Sequence, residues 1–366
     1  LISFHAYRGG EVRTALEEHL REAADLIADR RGVCRLHFTV SAEHVQPVKS
    51  FLRLMVPRLE ESCGVRFHVD LSLQSPSTSI VAADGQSRPF RDEDGGLVFR
   101  PGGHGALLQN LQAIDADLIF VKNIDNISPE SLQKKILPCK KALGGLMIET
   151  RRQVYSCLRQ LEQKSLSLPD LQAISEFCRD ALSADFPKEF HKLAAREKKQ
   201  WLFRRLNRPL RVCGMVKNEG EPGGGPFWVL EKDQSRTLQI VESAHVDFSL
   251  PQQAGIWSSA SYFNPVDMVC CTKNYRGGKF ILEDFVNRDA YLISPKTRKG
   301  RELLAQELPG LWNGGMALWN TVFVELPLAV FNPVKTVYDL LRPQHRTGRA
   351  FKSSSAGTGP AKRPAR

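Results

Sequence analysis

The chain has 366 residues, 42% hydrophobic and 25% charged, as in a globular protein with length enough for one large or two ordinary domains. Its formal net charge of +11 is concentrated in residues 342–366, with seven basic residues and no acid, and in residues 188–211, with nine basic and two acidic ones. The remainder is slightly acidic, which excludes a uniformly basic nucleic-acid binder, and no apolar run reaches eighteen residues, which excludes a transmembrane helix.

The eight cysteines include no CxxC pair and no metal-like spacing with histidine, the pattern of free thiols in a reducing cytoplasm. The first residues resemble no signal peptide, and a start at Leu1 without methionine reads as a truncation.

In chain order, residues 10–29 carry Leu16, Leu20, Ala23, Ala24 and Ile27 at helical spacing. Residues 33–40 read as a strand. Residues 42–61 read as a helix capped by Ser41, and 65–73 as an alternating strand. Strand, helix and strand over about forty residues make a βαβ unit with a parallel pair. Gln74–Thr78 follows at a strand end, where either a ligand contact or a polar turn fits. Residues 83–96 are polar and rich in Gly and Asp, a loop or hairpin.

Residues 99–126 organise the rest. Gly102-Gly103-His104-Gly105 is a glycine-rich loop, 106–113 a short helix, and 117–122 an apolar strand ending in Asn123-Ile124-Asp125-Asn126. A glycine loop opening a helix lets backbone N–H groups approach an anion. A carboxylate past a buried strand lies at the carboxyl edge of a sheet, where open α/β folds bind ligands. Helical patterns then run through 130–141, 150–163, 170–183 and 188–206, broken near Gly144-Gly145, Pro169 and Pro187. The basic 188–206 helix is either a solvated face or a surface for an acidic partner. Strand character resumes at 211–217. Residues 218–226, NEGEPGGGP, are a loop that either folds over a substrate or closes a hairpin. Two further strands lead to Glu242. Residues 348–366 are rich in Ser, Gly, Pro and Ala and read as a disordered tail.

GGHG followed by NIDN resembles the UDP-sugar pyrophosphorylases, the UTP:sugar-1-phosphate uridylyltransferases. The segments QIVESAHVD (239–247) and FNPVKTVYDLL (331–341) are similar to two further motifs of those enzymes. The flanking text, including FRPGGHGALLQNL and GLWNGGMALWNTVFVE, resembles a bacterial family classed as a domain of unknown function, over nearly residues 1–347.

The resemblance implies a nucleotide-diphospho-sugar transferase-like α/β fold (Rossmann-like, GT-A type), a mixed sheet flanked by helices. It would span residues 1–341 with a helical insertion at about 128–207, and 342–366 would be a basic tail. It implies transfer of a nucleotidyl group from a nucleoside triphosphate, UTP favoured, to a sugar-1-phosphate with Mg²⁺. Gln74, Gly102, Gly103, His104 and Gly105 would hold the nucleotide. Asn123, Glu242 and Asn264 would hold the sugar, Asp125 the metal, and Lys335 would neutralise phosphate charge ahead of a short helix. No membrane and no specific nucleic acid is implied as a partner. The enzymes' N-terminal glycine-rich loop and following lysine have no counterpart in Leu1–Tyr7, which keeps open two alternatives. One is a nucleotide or nucleotide-sugar binding protein without turnover; the other is a structural protein that kept only the fold.

Overall fold

The computed structural model describes residues 2–7, 10–220, 223–231 and 234–346; Leu1 and the tail read at 348–366 lie outside the described residues. The chain opens with a short antiparallel pair, β1 (Ser3–Ala6) and β2 (Val12–Thr14), and passes straight into α1 (Ala15–Ile27). The helix expected from residue 10 starts late because residues 12–14 are used in this pair. Thr14 and Glu17 then cap it reciprocally, each side chain accepting the other's backbone N–H.

β3 (Val33–Thr39), α2 (Val45–Cys63) and β4 (Arg66–Ser72) form the expected βαβ unit, with β3 and β4 parallel. β5 (Ile80–Val81) and β6 (Phe99–Arg100) pair across the 83–96 loop. α3 (Leu108–Ala113) and β7 (Ile119–Lys122) follow. Then come α4 (Glu130–Glu162), α5 (Leu168–Leu182) and α6 (Ala195–Leu206). Strands return with β8 (Leu210–Lys217), β9 (Gly225–Leu230) and β10 (Arg236–Val241), followed by α7 (Pro251–Ser258) and β11 (Tyr262–Cys271). The last strands are β12 (Leu292–Arg298), β13 (Arg301–Glu307) and β14 (Asn320–Glu325). The protein is therefore mixed α/β.

The central sheet has the order β14-β8-β11-β7. β14 runs parallel to β8, while β11 is antiparallel to β8 and β7, with Asp267 opposite Gly214 on one side and Lys122 on the other. The carboxyl ends of β7, β8 and β14 and the amino end of β11 thus share one edge. Alternation along the strands splits the core: Val212, Val216, Val269 and Cys271 face α4–α6, whereas Cys213, Met215, Met268 and Cys270 face α3 and residues 311–319. A third core packs α1 and α2 on β3 and β4. Among the described residues no helix is long and apolar enough to cross a membrane.

The break expected at Gly144-Gly145 is absent, since α4 runs unbroken through it. Gly144 lies where α4 crosses β7, and a Cβ there would sit 3.0 Å from the Phe120 ring. The glycine is used for close approach of helix to sheet. Its propensity cost of roughly 1 kcal/mol is outweighed by packing.

Charges are also buried between α1, β7, α4 and β11. Glu22 accepts from Lys122 at 3.0 Å and from Lys140 at 2.7 Å, and Lys140 lies 3.6 Å from Asp267. Burial pushes the Glu22 carboxyl up, but the two ammonium groups outweigh it and hold its pKa below the ordinary 4.5. The unfolded chain therefore binds more protons as pH falls through 4.5, and Glu22's contribution, complete above that pH, is lost below it. We expect Glu22→Gln to cost on the order of 3–5 kcal/mol at neutral pH, as for one partner removed from a buried pair. It should also flatten the fall of stability below pH 4.5 in urea titrations at stepped pH. A variant that loses stability with acid as steeply as the wild type would exclude this role for Glu22.

Candidate functional site

Two segments about 200 residues apart meet at the carboxyl edge of the sheet. The loop after β7 and the segment after β14 form an isolated antiparallel bridge between Asn126 and Pro333. The Val334 N–H donates to the Asp125 carbonyl at 2.9 Å, and the Ile127 N–H to the Asn332 carbonyl at 3.3 Å. Side chains complete the join. The Asn126 Oδ1 accepts from the Asn332 N–H at 2.9 Å, and the Asn332 Nδ2 donates to the Ser128 hydroxyl at 2.8 Å and to the Ala329 carbonyl at 2.7 Å. Asn126 and Asn332 are 1% and 3% exposed.

This join brings Lys335 to Asp125, with Nζ donating to Oδ2 at 2.8 Å. The lysine side chain is 63% exposed and the carboxylate 27%. A pair so open to water is worth roughly 0–1 kcal/mol, so stability does not account for it. Among the described residues no hydrogen bond reaches the other carboxylate oxygen. The helix expected after Lys335 is a 3₁₀ turn, Val337–Leu341, in which Asp339 caps the Lys335 and Thr336 N–H groups. Asn123 sits half-buried on the same loop as Asp125.

A second group assembles around Trp312. Its indole N–H donates to Glu242 Oε1 at 3.1 Å, and its ring lies 4.1 Å from the His104 ring, centroid to centroid. The Leu311 N–H donates to His104 Nδ1 at 3.1 Å, so the neutral ring carries its proton on Nε2 as a donor. Burial lowers the His104 pKa below 6.5, which keeps the ring neutral at pH 7. Behind it the fully buried Arg211 guanidinium donates to the Trp312 carbonyl at 2.6 Å and to the Thr321 hydroxyl at 2.9 Å, holding the segment in place.

The glycine loop differs from expectation. A Cβ on Gly102 would sit 2.6 Å from the Thr78 carbonyl, one on Gly103 (φ +69°) 2.8 Å from Glu307, and one on Gly105 2.3 Å from the Pro309 carbonyl. Protein atoms pack against the side of the loop where side chains would stand. A 3₁₀ turn, His104–Leu107, separates the loop from α3, which has only six residues. The glycines allow this close packing beside His104, and a six-residue helix set off by a turn lends the loop little dipole support. Gln74 stands beside them through Thr78, donating to its hydroxyl at 3.2 Å.

Asn264 also differs. It is 3% exposed, and its Oδ1 accepts from the Val266 N–H at 3.1 Å across a bulge in β11. Val266 sits at φ +56°, which costs a β-branched residue of order 1–3 kcal/mol. The oxygen expected to accept from a sugar hydroxyl already accepts one bond, and its second lone pair and the amide Nδ2 remain. The Asn264 N–H donates to the Gly224 carbonyl at 2.7 Å, and a Cβ on Gly224 would lie 3.0 Å from Glu242. Glu242 and Asn264 thus border one loop. No hydrogen bond among the described residues joins the Asp125–Lys335 pair to the His104–Trp312–Glu242 group.

Residues 1–346 match the family described as "Domain of unknown function (DUF4301)". The chain belongs to the DUF4301 family. No curated protein matches this DUF4301 sequence. Solved structures similar to it include a variant of the UDP-glucose pyrophosphorylase of Leishmania major in complex with UDP-glucose. That match has 16% identity over 93% of this chain and 60% of that one, with a TM-score of 0.48. Another is described as a UDP-glucose phosphorylase of Trypanosoma brucei (15% identity, 92% and 60% of the two chains, TM-score 0.45). A third is described as a UDP-N-acetylglucosamine pyrophosphorylase of Entamoeba histolytica (10%, 94% and 73%, 0.46). The DUF4301 chain spans about 60% of the length of the first two.

Sequence reasoning passed over Trp312, although it stands in GLWNGG, and gave no role to Asn126 or Asn332 within the motifs it quoted. A tryptophan between glycines and a polar Asn in an apolar run were the signals available. For the glycine loop, we expect Gly105→Ala to lower stability by about 1–3 kcal/mol, as overpacking does against backbone that cannot move aside. Chemical denaturation without any ligand measures this, and an unchanged midpoint would return the glycine to a ligand-binding role.

Proposed function

We propose that this protein is a sugar-1-phosphate nucleotidyltransferase of the pyrophosphorylase type, with UTP as the favoured triphosphate. Its α/β domain would be Rossmann-like and GT-A type, spanning residues 1–341 with the 128–207 helices as an insertion. The observation that carries the reading is the meeting of Asp125 with Lys335, from two motifs that resemble those enzymes, at the carboxyl edge of the parallel strands. The eight cysteines, all free thiols, suit a cytoplasmic setting.

Among the described residues no three His, Cys, Asp or Glu side chains are grouped to hold a metal. Mg²⁺ fits Asp125 nonetheless, because it is held by one or two carboxylates together with substrate phosphates and waters. Bound there, Mg²⁺ would supply charge neutralisation at the phosphates. Lys335 would then leave its ion pair with Asp125 for the phosphate oxygens. A sugar-1-phosphate oxygen attacks the α-phosphorus, the bond from that phosphorus to the bridging oxygen breaks, and pyrophosphate leaves. Lys335 stabilises the charge that develops. His104, neutral and donating from Nε2, and Gln74 would contact the nucleotide, with Gly102, Gly103 and Gly105 fixing the backbone. Glu242, Asn123 and the Asn264 amide would contact sugar hydroxyls.

Thermal unfolding with UTP, UDP-glucose and UDP-N-acetylglucosamine, with and without Mg²⁺, tests this. Ligand at 100 times its Kd should add about 2.7 kcal/mol. Asp125→Ala should abolish the Mg²⁺ dependence. Lys335→Ala should reduce pyrophosphate release roughly 10²-fold or more, the loss seen for one charge-stabilising donor. No stabilisation by any nucleotide overturns the reading. Stabilisation without pyrophosphate release supports the nucleotide-sugar-binding alternative.

A further inference from the structure

α1 reaches the Asp125 loop through His19 and the segments around it through Glu18 and Glu22. His19 Nε2 lies 2.9 Å from the Ile124 carbonyl, in the loop itself. One turn on, Glu22 accepts from Lys122, the residue before the loop, and from Lys140 in α4, the helix after it. Gln133 of α4 also donates to Glu22, at 3.4 Å. One residue before His19, Glu18 accepts from His5 Nδ1 at 2.8 Å and from the Tyr7 hydroxyl, which itself accepts from the Glu130 N–H at the start of α4. His5 Nε2 in turn meets His345 Nδ1 at 3.0 Å, in the turn that closes the Lys335 segment. His5, Glu18 and His345 are each no more than 3% exposed.

We infer that α1 is the strut that holds the Asp125 loop in register with the Lys335 segment, and that His19 is the positioning residue for Asp125. A carbonyl can only accept, so His19 donates from Nε2. Burial and the neighbouring Lys122 push its pKa down to about 3, against the opposing pull of Glu22, so the donor persists across neutral pH. Buried polar groups of this kind add little stability over apolar packing of equal volume. What they add is direction: a hydrogen bond to Ile124 fixes where the next residue's carboxylate points, which an apolar contact does not. The inference rests on the reading of Asp125 and Lys335 as the working pair, but its first readout does not.

Hydrogen exchange on the full chain compares wild type, His19→Ala and His19→Gln, whose amide nitrogen can stand in for Nε2. In His19→Ala the amides of Asn126, Ile127 and Val334 should exchange roughly tenfold faster, with Val212 and Val269 of the central sheet unchanged. His19→Gln should restore protection. The Mg²⁺ concentration giving half the nucleotide stabilisation should rise in His19→Ala and return in His19→Gln. Unchanged exchange in His19→Ala, or a rise spread equally over the sheet, overturns the inference. Should His19→Ala fail to fold, His19→Asn, polar but one bond too short, replaces it with the same expectations. Loop-confined exchange in a protein that no nucleotide stabilises would support the strut while overturning the proposed nucleotidyltransferase.

Discussion

The side-chain amides of Asn126 and Asn332 are the constraint on which the site depends. Neither lies in a regular strand, yet both are almost fully buried. A buried amide without partners costs about 1–3 kcal/mol, so each must find its bonds in one arrangement. The arrangement they find is mutual: the loop after β7 and the segment after β14 are stitched together at one register. Slip that register by a residue, and Lys335 no longer faces Asp125.

The sheet supplies the edge, and elements outside it set the details. α1 grips the Asp125 loop and both of its flanks through His19 and Glu22. Arg211 holds the Trp312 segment from beneath, and Trp312 in turn orients His104 and Glu242. The glycine loop belongs to the same logic. Gly102 and Gly105 lack side chains where the Thr78 and Pro309 carbonyls approach too closely for a Cβ, and His104 between them is held by the Leu311 N–H and the Trp312 ring. Polar and steric constraints thus build two groups: a charged pair at the carboxyl edge, and an aromatic–carboxylate cluster around Trp312.

Much of the fold was legible from periodicity. The βαβ unit over 33–72 was, because apolar spacing of period two and period 3.6 reports burial locally. So was the return of strand character at 211–217, which became β8. Asp125, Lys335 and Glu242 could be singled out because each sits in a short contiguous motif. Local signals were incomplete where they met a tertiary contact. Gly144-Gly145 is a helix breaker in isolation, but Gly144 is required where α4 crosses Phe120. GGHG suggests a loop opening directly into a helix, but a 3₁₀ turn intervenes and the glycines pack against Thr78, Glu307 and Pro309. Asn264 suggests an exposed polar group, but it is buried and its oxygen also holds the β11 bulge.

The order of residues was enough to establish the βαβ unit, the strands that became β7 and β8, and the polar cluster that follows β7. Those properties depend on neighbours within a few positions. Only the folded chain could decide that Asp125 meets Lys335, that Trp312 joins His104 to Glu242, and that His19 supports the loop. Each is a contact between residues far apart in sequence, and hydrogen bonds and ring contacts depend on distance and angle in space. No spacing along the chain encodes them until the sheet closes and the buried amides choose their partners.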